Sequence, residues 1–473
     1  MPETIYDVAI IGSGPGGYTA AIRAGEYGLN TALIEKDAKL GGTCLHVGCI
    51  PTKSLLFDAE IYDHFKAAKE HGIENVEGMK VNWGTIQDRK NKIVAKHAKG
   101  LEFLMRKNKV TTIPGFGRLT GPVKNGVLEI EVTGGDGKKS TLHTKNAIIA
   151  TGSEARMLPG TKPDKDILTN IEILSLGTIP KSLIVIGSGA VGVEFASIYN
   201  SYLTDVTILE ALPRLVPVED EEIGKELLRV YKKRGIKCFF GTKVEKIEKG
   251  KDGVTVGFIN QEGQGQTLKA EKVLVAIGRA PQTDGIGLEK TKIKTERGFI
   301  PTNEWMQTAE PCIYAIGDIV MGMPQLAHVA AMQGMVAVAR IAGKYARPVK
   351  RNLIPGATYC DPQIGSVGLT EAQAREKGYK VKVGKFPFTA NSKASIMSAH
   401  EGFIKVVSEE EYGEILGVHI IGPLATELIS EAVTAMQLEA TVEEMMFTIH
   451  AHPTLYEALL DGFSSVEGKA INI

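Results

Sequence analysis

The chain has 473 residues, which is more than one hydrophobic core ordinarily organises, so several domains are expected. Lysine plus arginine and aspartate plus glutamate both total 55. The resulting net charge of zero excludes a global basic field of the kind that attracts nucleic acid or anionic membranes. Five cysteines are a sparse and odd set for a secreted disulfide scaffold. Composition therefore favours a small-molecule substrate.

The N-terminal segment predicts a cytoplasmic protein. An apolar strand at Val8–Ile11 follows within a few residues of the start, without a charged leader, a long apolar core or a cleavage site. No apolar run approaches the roughly 20 residues that span a bilayer, so no membrane insertion is expected. In a reducing compartment, a closely spaced cysteine pair favours a catalytic or metal-binding role over a structural one.

Residues 7 to 35 predict a strand, a glycine-rich turn, a helix and a second strand. Gly12, Gly14 and Gly17 form a GxGxxG pattern, and Glu35 ends the second strand. The first glycine permits a tight turn, the second lets a pyrophosphate approach the helix N-terminus, and the third allows close helix packing. The acid would accept hydrogen bonds from a ribose. This unit is typical of dinucleotide binding.

Two cysteines, Cys44 and Cys49, follow that unit. On an undistorted helix, residues five apart lie roughly 8 to 9 Å from each other by Cα, beyond the ~7 Å limit for a disulfide. A bridge therefore needs a distorted backbone, which Gly48 can supply before a helix predicted from Lys53 to Phe65. The spacing permits a redox pair without proving one. No second pair of cysteines or histidines stands nearby at zinc-site spacing, so no metal is expected.

The dinucleotide unit recurs 175 residues later, with Gly187, Gly189, Gly192 and Glu210 in the corresponding places. In both copies the acid follows the third glycine by 18 residues. Two copies in the correct context make chance improbable, although either acid alone also fits a charge at a strand end. A carboxylate at Glu210 repels a 2′-phosphate and favours NAD over NADP. Arg214 opposes this, and it is interpreted as a loop cation.

The rest of the chain has three further features. Strands at residues 146 to 152 and 272 to 281 close the two units, and an insertion from 40 to 145 lies within the first. Asp318 ends another strand and either binds a ligand hydroxyl or caps the next segment. Beyond residue 350, short β runs alternate with amphipathic helices such as residues 424 to 439. This pattern predicts a separate α+β domain with an interface or substrate-facing role.

Near the C-terminus, His452 and Glu457 allow two interpretations. An imidazole titrates near neutral pH, so His452 suits a base whose tautomer Glu457 fixes. Alternatively, the segment from Thr454 to Glu457 is a helix capping box and the histidine is an ordinary loop residue. Spacing alone leaves both interpretations open.

Together these motifs resemble the FAD-dependent pyridine nucleotide-disulfide oxidoreductases, and among them the enzymes that oxidise dihydrolipoamide. The resemblance spans essentially the whole chain, including the segments at residues 42 to 51, 315 to 318, 326 to 328 and 450 to 457. It implies an α/β fold with two Rossmann-like dinucleotide-binding domains plus a C-terminal α+β dimerisation domain. The implied boundaries are 1–149 for FAD binding, 150–281 for NAD binding, 282–350 for a central domain that completes the FAD site, and 351–473 for the interface.

The resemblance also implies roles for individual residues. The substrate dithiol attacks Cys44, Cys49 faces the flavin, and electrons pass through FAD to NAD⁺. Lys53 and Glu194 are expected to pair near the flavin. The implied catalytic residues are Cys44, Cys49, His452, Glu457, Lys53 and Glu194. The implied FAD-binding residues are Gly12, Gly14, Gly17, Glu35, Thr43, Lys53, Thr151, Gly152, Asp318, Ala327 and His328. The implied NAD-binding residues are Gly187, Gly189, Gly192, Glu210, Gly278 and Arg279.

Partners follow from the same resemblance. The cysteines and His452 lie at opposite ends of the chain, and in this family the histidine comes from the other subunit, so a homodimer is expected. The expected substrate carriers are the lipoyl domains of an acyltransferase (E2) or a glycine cleavage carrier protein. His46, Thr52 and Tyr456 depart from the family pattern, where asparagine, serine and serine are usual. The alternatives are a glutathione or mercuric type of reductase and a non-catalytic flavoprotein that acts as a binding module.

Overall fold

The computed structural model describes residues 4–76 and 78–473. The chain forms two compact units. The first comprises residues 1–54, 85–156 and 279–349, and the second comprises residues 55–84, 157–278 and 350–473. In the part of the chain that is described, no helix is both long enough and apolar enough to cross a membrane.

The strands are numbered in chain order. They are β1 (Ile5–Ile11), β2 (Thr31–Glu35), β3 (Thr111–Pro114), β4 (Phe116–Leu119), β5 (Leu128–Thr133), β6 (Lys139–Ile149), β7 (Ser153–Ala155), β8 (Ile167–Leu168), β9 (Ser182–Ile186), β10 (Asp205–Leu209), β11 (Lys237–Phe239), β12 (Lys243–Gly250), β13 (Gly253–Ile259), β14 (Gly265–Ala270), β15 (Lys272–Val275), β16 (Arg279–Pro281), β17 (Ile313–Ala315), β18 (Gly356–Thr358), β19 (Gln363–Gly368), β20 (Val381–Pro387), β21 (Phe403–Glu409) and β22 (Ile415–Gly422).

The helices are numbered in the same way. They are α1 (Pro15–Glu26), α2 (Gly42–Val47), α3 (Cys49–Lys66), α4 (Trp83–Lys107), α5 (Asn170–Ile173), α6 (Ala190–Ser201), α7 (Glu221–Lys233), α8 (Ala327–Ile341), α9 (Glu371–Glu376), α10 (Ser392–Ile396), α11 (Ala425–Gln437), α12 (Val442–Phe447) and α13 (Glu457–Val466). Short 3₁₀ helices lie at Ala68–His71, Leu288–Lys290, Gly317–Ile319, Arg351–Leu353 and Phe388–Ala390.

The first unit is built on a sheet of order β3-β2-β1-β6-β5-β4, with β17 also paired to β6. Strand β1 lies between β2 and β6 and is parallel to both. The continuous apolar run Val8–Ile11 is buried, as expected for a parallel strand that is covered on both faces. Helices α1 and α8 pack against each other beside this sheet. The central strand β1 ends at Ile11, so the first glycine-rich turn begins at the carboxyl end of this strand.

The second unit contains the repeated dinucleotide unit and the C-terminal domain. The repeat forms a parallel sheet of order β11-β10-β9-β15-β8, and an antiparallel sheet of order β12-β13-β14 accompanies it. The C-terminal region forms an antiparallel sheet of order β18-β19-β22-β21-β20, on which α11 and α13 pack. The predicted fold class, two Rossmann-like domains plus a C-terminal α+β domain, is confirmed.

Element bounds differ slightly from those predicted. The helix expected from Lys53 to Phe65 begins already at Cys49, because Pro51 is tolerated in the first turn, where no intrahelical N–H bond is lost. The helix expected over residues 424 to 439 is α11, Ala425–Gln437. Leu424 has a positive φ of 52° and cannot continue the helix backwards.

Candidate active site

The predicted redox pair lies at a break between two helices. Cys44 belongs to α2, Cys49 is the first residue of α3, and Gly48 lies between them. A Cβ atom on Gly48 would stand 2.8 Å from the carbonyl oxygen of Thr43 and 3.1 Å from the Cα of Cys44. Because side chains do not fit at such distances from backbone, only glycine allows this close approach of the two helices. The distorted backbone that a Cys44–Cys49 bridge needs is therefore present.

The two thiols are half-buried and form a hydrogen bond with each other. This hydrogen bond and burial raise the pKa of Cys44, and the positive charge of Lys53 offsets the rise only in part. Because a thiolate and not a thiol attacks a disulfide, a substrate thiol needs a separate base to remove its proton.

Two of the three residues that depart from the family pattern, His46 and Thr52, hold the redox segment in place. The hydroxyl of Thr52 donates to the carbonyl oxygen of Gly48 over 2.7 Å, so the threonine supplies the group that a serine would supply. The ring nitrogen Nε2 of His46 lies 2.9 Å from the carbonyl oxygen of Leu40. The two side chains therefore fix backbone before the cysteine pair, at Leu40, and between the two cysteines, at Gly48.

The first glycine-rich turn has the geometry of a phosphate cradle. Gly12 has a φ of 104°, and a Cβ atom there would stand 2.4 Å from the carbonyl oxygen of Ala150. A Cβ atom on Gly17 would stand 1.9 Å from the carbonyl oxygen of Gly12. At Gly14, the N-cap of α1, no atom of the described residues lies within 4 Å of the Cβ position. Two glycines are thus required by packing, and the third leaves space at a helix N-terminus.

The second turn repeats this geometry closely. Gly187 has a φ of 100°, and its Cβ position lies 2.5 Å from the carbonyl oxygen of Ala276. The Cβ position of Gly192 lies 2.0 Å from the carbonyl oxygen of Gly187. Gly189 is the N-cap of α6, and its Cβ position again has no neighbour within 4 Å among residues 4–76 and 78–473. The three glycines of the second turn therefore have the same steric roles as the three glycines of the first.

The two acids are each held by the serine of their own turn. Oε2 of Glu35 accepts from the backbone N–H of Ser13 at 2.8 Å and from its hydroxyl at 2.5 Å. Oε2 of Glu210 accepts from the corresponding groups of Ser188 at 2.7 and 2.8 Å. In each case Oε1 accepts a further backbone N–H, from Asp37 or Leu212, at 2.8 Å. A carboxylate has about four acceptor positions, so one remains for a ribose hydroxyl.

Arg214, which opposed the choice of NAD, is engaged in its own loop. Its Nη2 donates to the carbonyl oxygen of Pro217 at 3.0 Å and to that of Glu219 at 3.5 Å. The guanidinium is therefore committed to the backbone a few residues away, as expected for a loop cation.

Asp318 belongs to a polar cluster in the first unit. Its carboxylate accepts from the hydroxyl of Ser153, and that hydroxyl also accepts from Nε of Arg279 at 2.7 Å. Nη2 of Arg279 donates to the carbonyl oxygen of Ser153 at 2.6 Å. Burial lowers the pKa of Arg279, whereas the nearby Asp318 and Cys49 oppose that change. Arg279 thus lies with the residues assigned to FAD, and its NAD-binding role stays a prediction.

The His452–Glu457 contact is present, whereas the predicted capping box is only half formed. The hydroxyl of Thr454 donates to the carbonyl oxygen of Ala451 at 2.7 Å, and the N-cap of α13 is Tyr456, which makes no side-chain cap bond. Nδ1 of His452 lies 2.9 Å from Oε1 of Glu457, and Oε2 of the same carboxylate accepts from the backbone N–H of Thr454 at 2.7 Å. Burial raises the pKa of Glu457, but the Thr454 amide and His452 outweigh it, so the net pKa is lowered. The glutamate therefore holds the backbone ahead of α13 and orients the ring at the same time. His452 itself is 71% exposed.

The neighbouring histidine has a different environment. The side chain of His450 is buried, with Nε2 2.7 Å from Oε1 of Glu431 and Nδ1 2.8 Å from the carbonyl oxygen of Thr448. Tyr456 lies against its ring at a centroid distance of 5.7 Å. Both nitrogens of His450 are therefore occupied, whereas Nε2 of His452 remains available to a substrate.

Comparisons with known proteins identify the family. Residues 6–334 match the family described as pyridine nucleotide-disulphide oxidoreductase, and residues 354–461 match its dimerisation domain. The chain belongs to this family. It is 45% identical to the dihydrolipoyl dehydrogenase of Bacillus subtilis over 475 residues, with 99% of each chain covered. It is 44% identical to that of Mycobacterium leprae over 473 residues, with 99% of this chain and 100% of the relative covered.

Solved structures agree with this assignment. LpdA from Mycobacterium tuberculosis superposes with a TM-score of 0.89 at 27% identity, covering 96% of this chain and 98% of that one. The hypochlorous-acid-induced flavoprotein disulfide reductase RclA from Escherichia coli superposes with a TM-score of 0.84 at 26% identity, covering 97% and 99%. The predicted family, an oxidoreductase with FAD and NAD(H) as cofactors, is confirmed. The matched dimerisation domain supports a homodimer.

The cradles fit the two cofactors of this family. Each offers open space at a helix N-terminus, which suits a pyrophosphate, and an acid with one free acceptor position for a ribose. The redox segment abuts the first cradle, since the Cβ position of Gly42 lies 2.8 Å from the Cα of Gly14. A dinucleotide in that cradle would therefore lie beside the start of α2, the helix that carries Cys44.

The remaining predicted site residues lie as follows. Thr43 is in α2 and Lys53 in α3, and both are half-buried. Glu194 is buried in α6 and accepts the backbone N–H of Tyr359 at 2.9 Å. Five further assigned residues follow closing strands or begin a helix: Thr151, Gly152 and Gly278 come after strands, and Ala327 and His328 lie at the start of α8. Their roles, and the Lys53–Glu194 pair, stay predictions.

Two residues of the cradles were not predicted. Ser13 and Ser188 anchor the acids, although the fingerprint treats their position as variable. The signal was available, because the same serine stands after the first glycine in both copies of the repeat. The contact between Ser153 and Arg279 carried no such signal, since 126 residues separate the two and no repeat relates them.

Proposed function

We propose that this protein is a dihydrolipoyl dehydrogenase, which oxidises protein-bound dihydrolipoamide to lipoamide and reduces NAD⁺ to NADH. The observation that carries the proposal is the Cys44–Cys49 thiol pair, placed against the first dinucleotide cradle by the contact of Gly42 with Gly14. Full-length similarity to dihydrolipoyl dehydrogenases supports the choice of substrate. Glu210, held by Ser188, supports NAD over NADP.

Cys44 and Cys49 have different roles in the proposed reaction. A substrate thiolate attacks the oxidised pair at Cys44, the Cys44–Cys49 bond breaks, and Cys49 leaves as a thiolate. The second substrate thiol then attacks the mixed disulfide, which releases lipoamide and leaves the cysteine pair reduced by two electrons. Bound FAD supplies the two-electron chemistry between this pair and the pyridine nucleotide.

His452 accepts the proton of the substrate thiol in this proposal. With a proton on Nδ1 shared with Glu457, Nε2 is the free base and lies exposed to solvent. The carboxylate would stabilise the imidazolium that forms. In a homodimer, we propose that this histidine serves the cysteine pair of the other subunit.

The domain assignments and partners belong to the same proposal. Residues 1–149 bind FAD, 150–281 bind NAD, 282–350 complete the FAD site and 351–473 form the interface. The matched dimerisation domain at 354–461 supports the last of these. The carriers are lipoyl domains of an E2 acyltransferase or the glycine cleavage carrier protein, and the site of action is the cytoplasm.

Steady-state turnover with two thiol donors, dihydrolipoamide and glutathione, and two coenzymes, NAD⁺ and NADP⁺, tests the proposal. We expect rapid NADH formation with dihydrolipoamide and NAD⁺, and little activity with NADP⁺ or with glutathione. The Cys49→Ser variant is expected to abolish dihydrolipoamide-dependent NADH formation. Preference for glutathione and NADPH would favour a glutathione type of reductase, and unchanged turnover of Cys49→Ser would contradict the mechanism.

A further inference from the structure

Helix α4 carries a concentrated positive charge in a chain whose net charge is zero. Its 25 residues contain seven lysines and arginines against two carboxylates, Asp88 and Glu102. Four of the cations recur at a spacing of three, four or seven residues, which places them within about 80° of arc over about 21 Å of helix. We call this set the basic face; it comprises Lys92, Lys96, Lys99 and Arg106.

The basic face is exposed and unpaired. Across residues 4–76 and 78–473, none of its four side chains forms an ion pair or a side-chain hydrogen bond. Phe103 lies on the same face, between Lys99 and Arg106, and is 57% exposed. The opposite side of the helix is buried, for example at Ala98 and Met105. An apolar ring surrounded by unpaired cations therefore faces solvent.

Helix stability does not account for this arrangement. Like charges four residues apart, as at Lys92 and Lys96, destabilise a helix, and the same holds three residues apart at Lys96 and Lys99. Arg106 lies in the last turn, where a cation complements the helix dipole, but the other three lie in the interior, where that effect has decayed. The cations thus weaken the isolated helix, and an anionic partner would relieve their repulsion.

The helix begins beside the redox helix. Nη1 of Arg89, in the second turn of α4, lies 3.3 Å from the hydroxyl of Ser54, five residues beyond Cys49 in α3. Lys92, the first cation of the basic face, follows one helical turn after Arg89. A partner bound to the face would therefore lie next to the element that carries the redox pair.

We propose that the basic face docks the acidic surface of the protein domain that carries the dihydrolipoyl group, with Phe103 as an apolar anchor. This inference rests on the proposed function, because that function requires the dithiol to arrive on a protein. A folded carrier is favoured over nucleic acid or membrane for two reasons. The face is short, about 21 Å. In addition, Asp88 precedes the face and Glu102 lies within its length, between Lys99 and Arg106, so both carboxylates would repel a continuous polyanion laid along the helix.

The test compares free and carried substrate. The double variant Lys96→Glu/Lys99→Glu is assayed with free dihydrolipoamide and with a reduced, acidic lipoyl domain, at low and at physiological salt. We expect the KM for the lipoyl domain to rise about tenfold at low salt with kcat unchanged, because charge steering contributes to association. With free dihydrolipoamide, both constants should match the wild type, and the rise should shrink with added salt.

A matched control reverses two exposed lysines elsewhere. Lys251→Glu/Lys269→Glu makes the same charge change at the turn between β12 and β13 and on β14, where neither side chain forms an ion pair with the described residues. Equal KM values for the basic-face variant and wild type would overturn the inference, as would an equal rise in the control. Face-dependent binding to anionic vesicles or DNA without any change in carrier KM would also overturn it. Absence of turnover with free dihydrolipoamide in the wild type would instead refute the proposed function.

Discussion

Glu457 illustrates how one side chain can serve structure and chemistry together. One carboxylate oxygen accepts the Thr454 amide ahead of α13, and the other faces Nδ1 of His452. A capping role and a catalytic role are often treated as alternatives, and the sequence alone left them so. Here they are compatible because the two oxygens point to different partners. The hydrogen bond from the Thr454 amide fixes the carboxylate, and the fixed carboxylate in turn fixes the ring.

Replacing Glu457 with glutamine separates these roles. The amide retains one oxygen acceptor, so it can serve the Thr454 amide or His452, but it cannot supply the charge that stabilises an imidazolium. We expect kcat with dihydrolipoamide to fall about a hundredfold, within the usual range for general base catalysis. Oxidation of NADH by an artificial quinone acceptor should stay normal, since that reaction needs no substrate proton.

The neighbouring histidine offers the matched control. Glu431→Gln makes the same change at the carboxylate whose Oε1 lies 2.7 Å from Nε2 of His450. We expect that variant to retain dihydrolipoamide turnover within about twofold, because the buried His450 has no free nitrogen. Equal losses in the two variants would show that Glu457 has only a structural role.

At the scale of elements, the junction of α2 and α3 sets the geometry of the cysteine pair. The prediction from sequence was that an unbroken helix holds Cys44 and Cys49 too far apart, and Gly48 supplies the break. This much was predictable because it depends only on spacing and on glycine. The close approach of the Thr43 carbonyl to Gly48 could not be predicted, since it depends on how the two helices pack.

Gly48→Ala should therefore impair the redox step specifically. Its Cβ would meet the Thr43 carbonyl oxygen at 2.8 Å, so the two helices must separate. We expect turnover with dihydrolipoamide to fall about a hundredfold, because displacements near 1 Å at reacting groups have effects of that size. Mass spectrometry after alkylation should show incomplete formation of the Cys44–Cys49 disulfide. Gly100→Ala, in α4 with open space around it in the described structure, should leave both measurements unchanged.

A second element-scale feature is a buried ion cluster that joins α7, α9 and β21. Nζ of Lys405 lies 3.0 Å from Asp220, 2.9 Å from Glu222 and 2.8 Å from Glu371. Burial lowers the pKa of Lys405, but the three carboxylates outweigh it and raise the pKa above its usual range. The pKa of each carboxyl group is lowered in turn, chiefly by Lys405 acting against burial. This cluster could not be predicted from the sequence, because its members are up to 185 residues apart.

Lys405→Met should destabilise the protein in a pH-dependent way. Carboxyl groups with a lowered pKa contribute stability above about pH 4, which is lost as the pH falls through their folded pKa. A lysine with a raised pKa contributes stability below about pH 10, which is lost as the pH rises through its folded pKa. The difference in the free energy of unfolding between wild type and variant should thus be largest between about pH 4 and about pH 10. It should reach about 3 to 5 kcal/mol there, because the variant leaves Asp220 buried and unpaired.

Thermal unfolding of the holoenzyme at pH 7 and pH 4 measures this difference. The gap in melting temperature should narrow at pH 4, where the remaining carboxylates begin to take up protons. Lys382→Met, which breaks the half-exposed pair with Glu467, is the control and should cost less than about 1 kcal/mol at either pH. A gap that is independent of pH would show that the cluster acts through packing instead of charge.

At the scale of the whole molecule, local patterns were more predictable than long-range assemblies. The two dinucleotide units were recognised because each glycine, strand and acid stands at a fixed offset from the next, and the structure repeats their sterics at Gly12 and Gly187. The grouping of Ser153, Asp318 and Arg279 was not predicted, because it depends on which strand ends meet in the folded unit. Arg279 was assigned to NAD through the family resemblance, and its hydrogen bonds with Ser153 could not be predicted from its position in the sequence.

The proposed exchange of catalytic residues between subunits makes a prediction that is independent of any single variant. Cys49→Ser and His452→Gln subunits are each expected to be inactive as homodimers. In a mixed dimer, one site would combine the intact cysteines of one subunit with the intact histidine of the other, while the second site would carry both defects. Random pairing of equal amounts gives about half mixed dimers, each with one complete site, so about a quarter of wild-type activity should return.

Refolding or co-expression of the two variants, followed by separation on distinct affinity tags, isolates the mixed dimer for assay. Its activity per flavin should be about half that of wild type, since one of two sites is complete. Analytical ultracentrifugation run in parallel should show a dimer, and dilution into monomers should abolish turnover. A mixed dimer with no more activity than its parents would place the cysteines and histidine of each site on one chain, because then each subunit would carry its own defect in its own site.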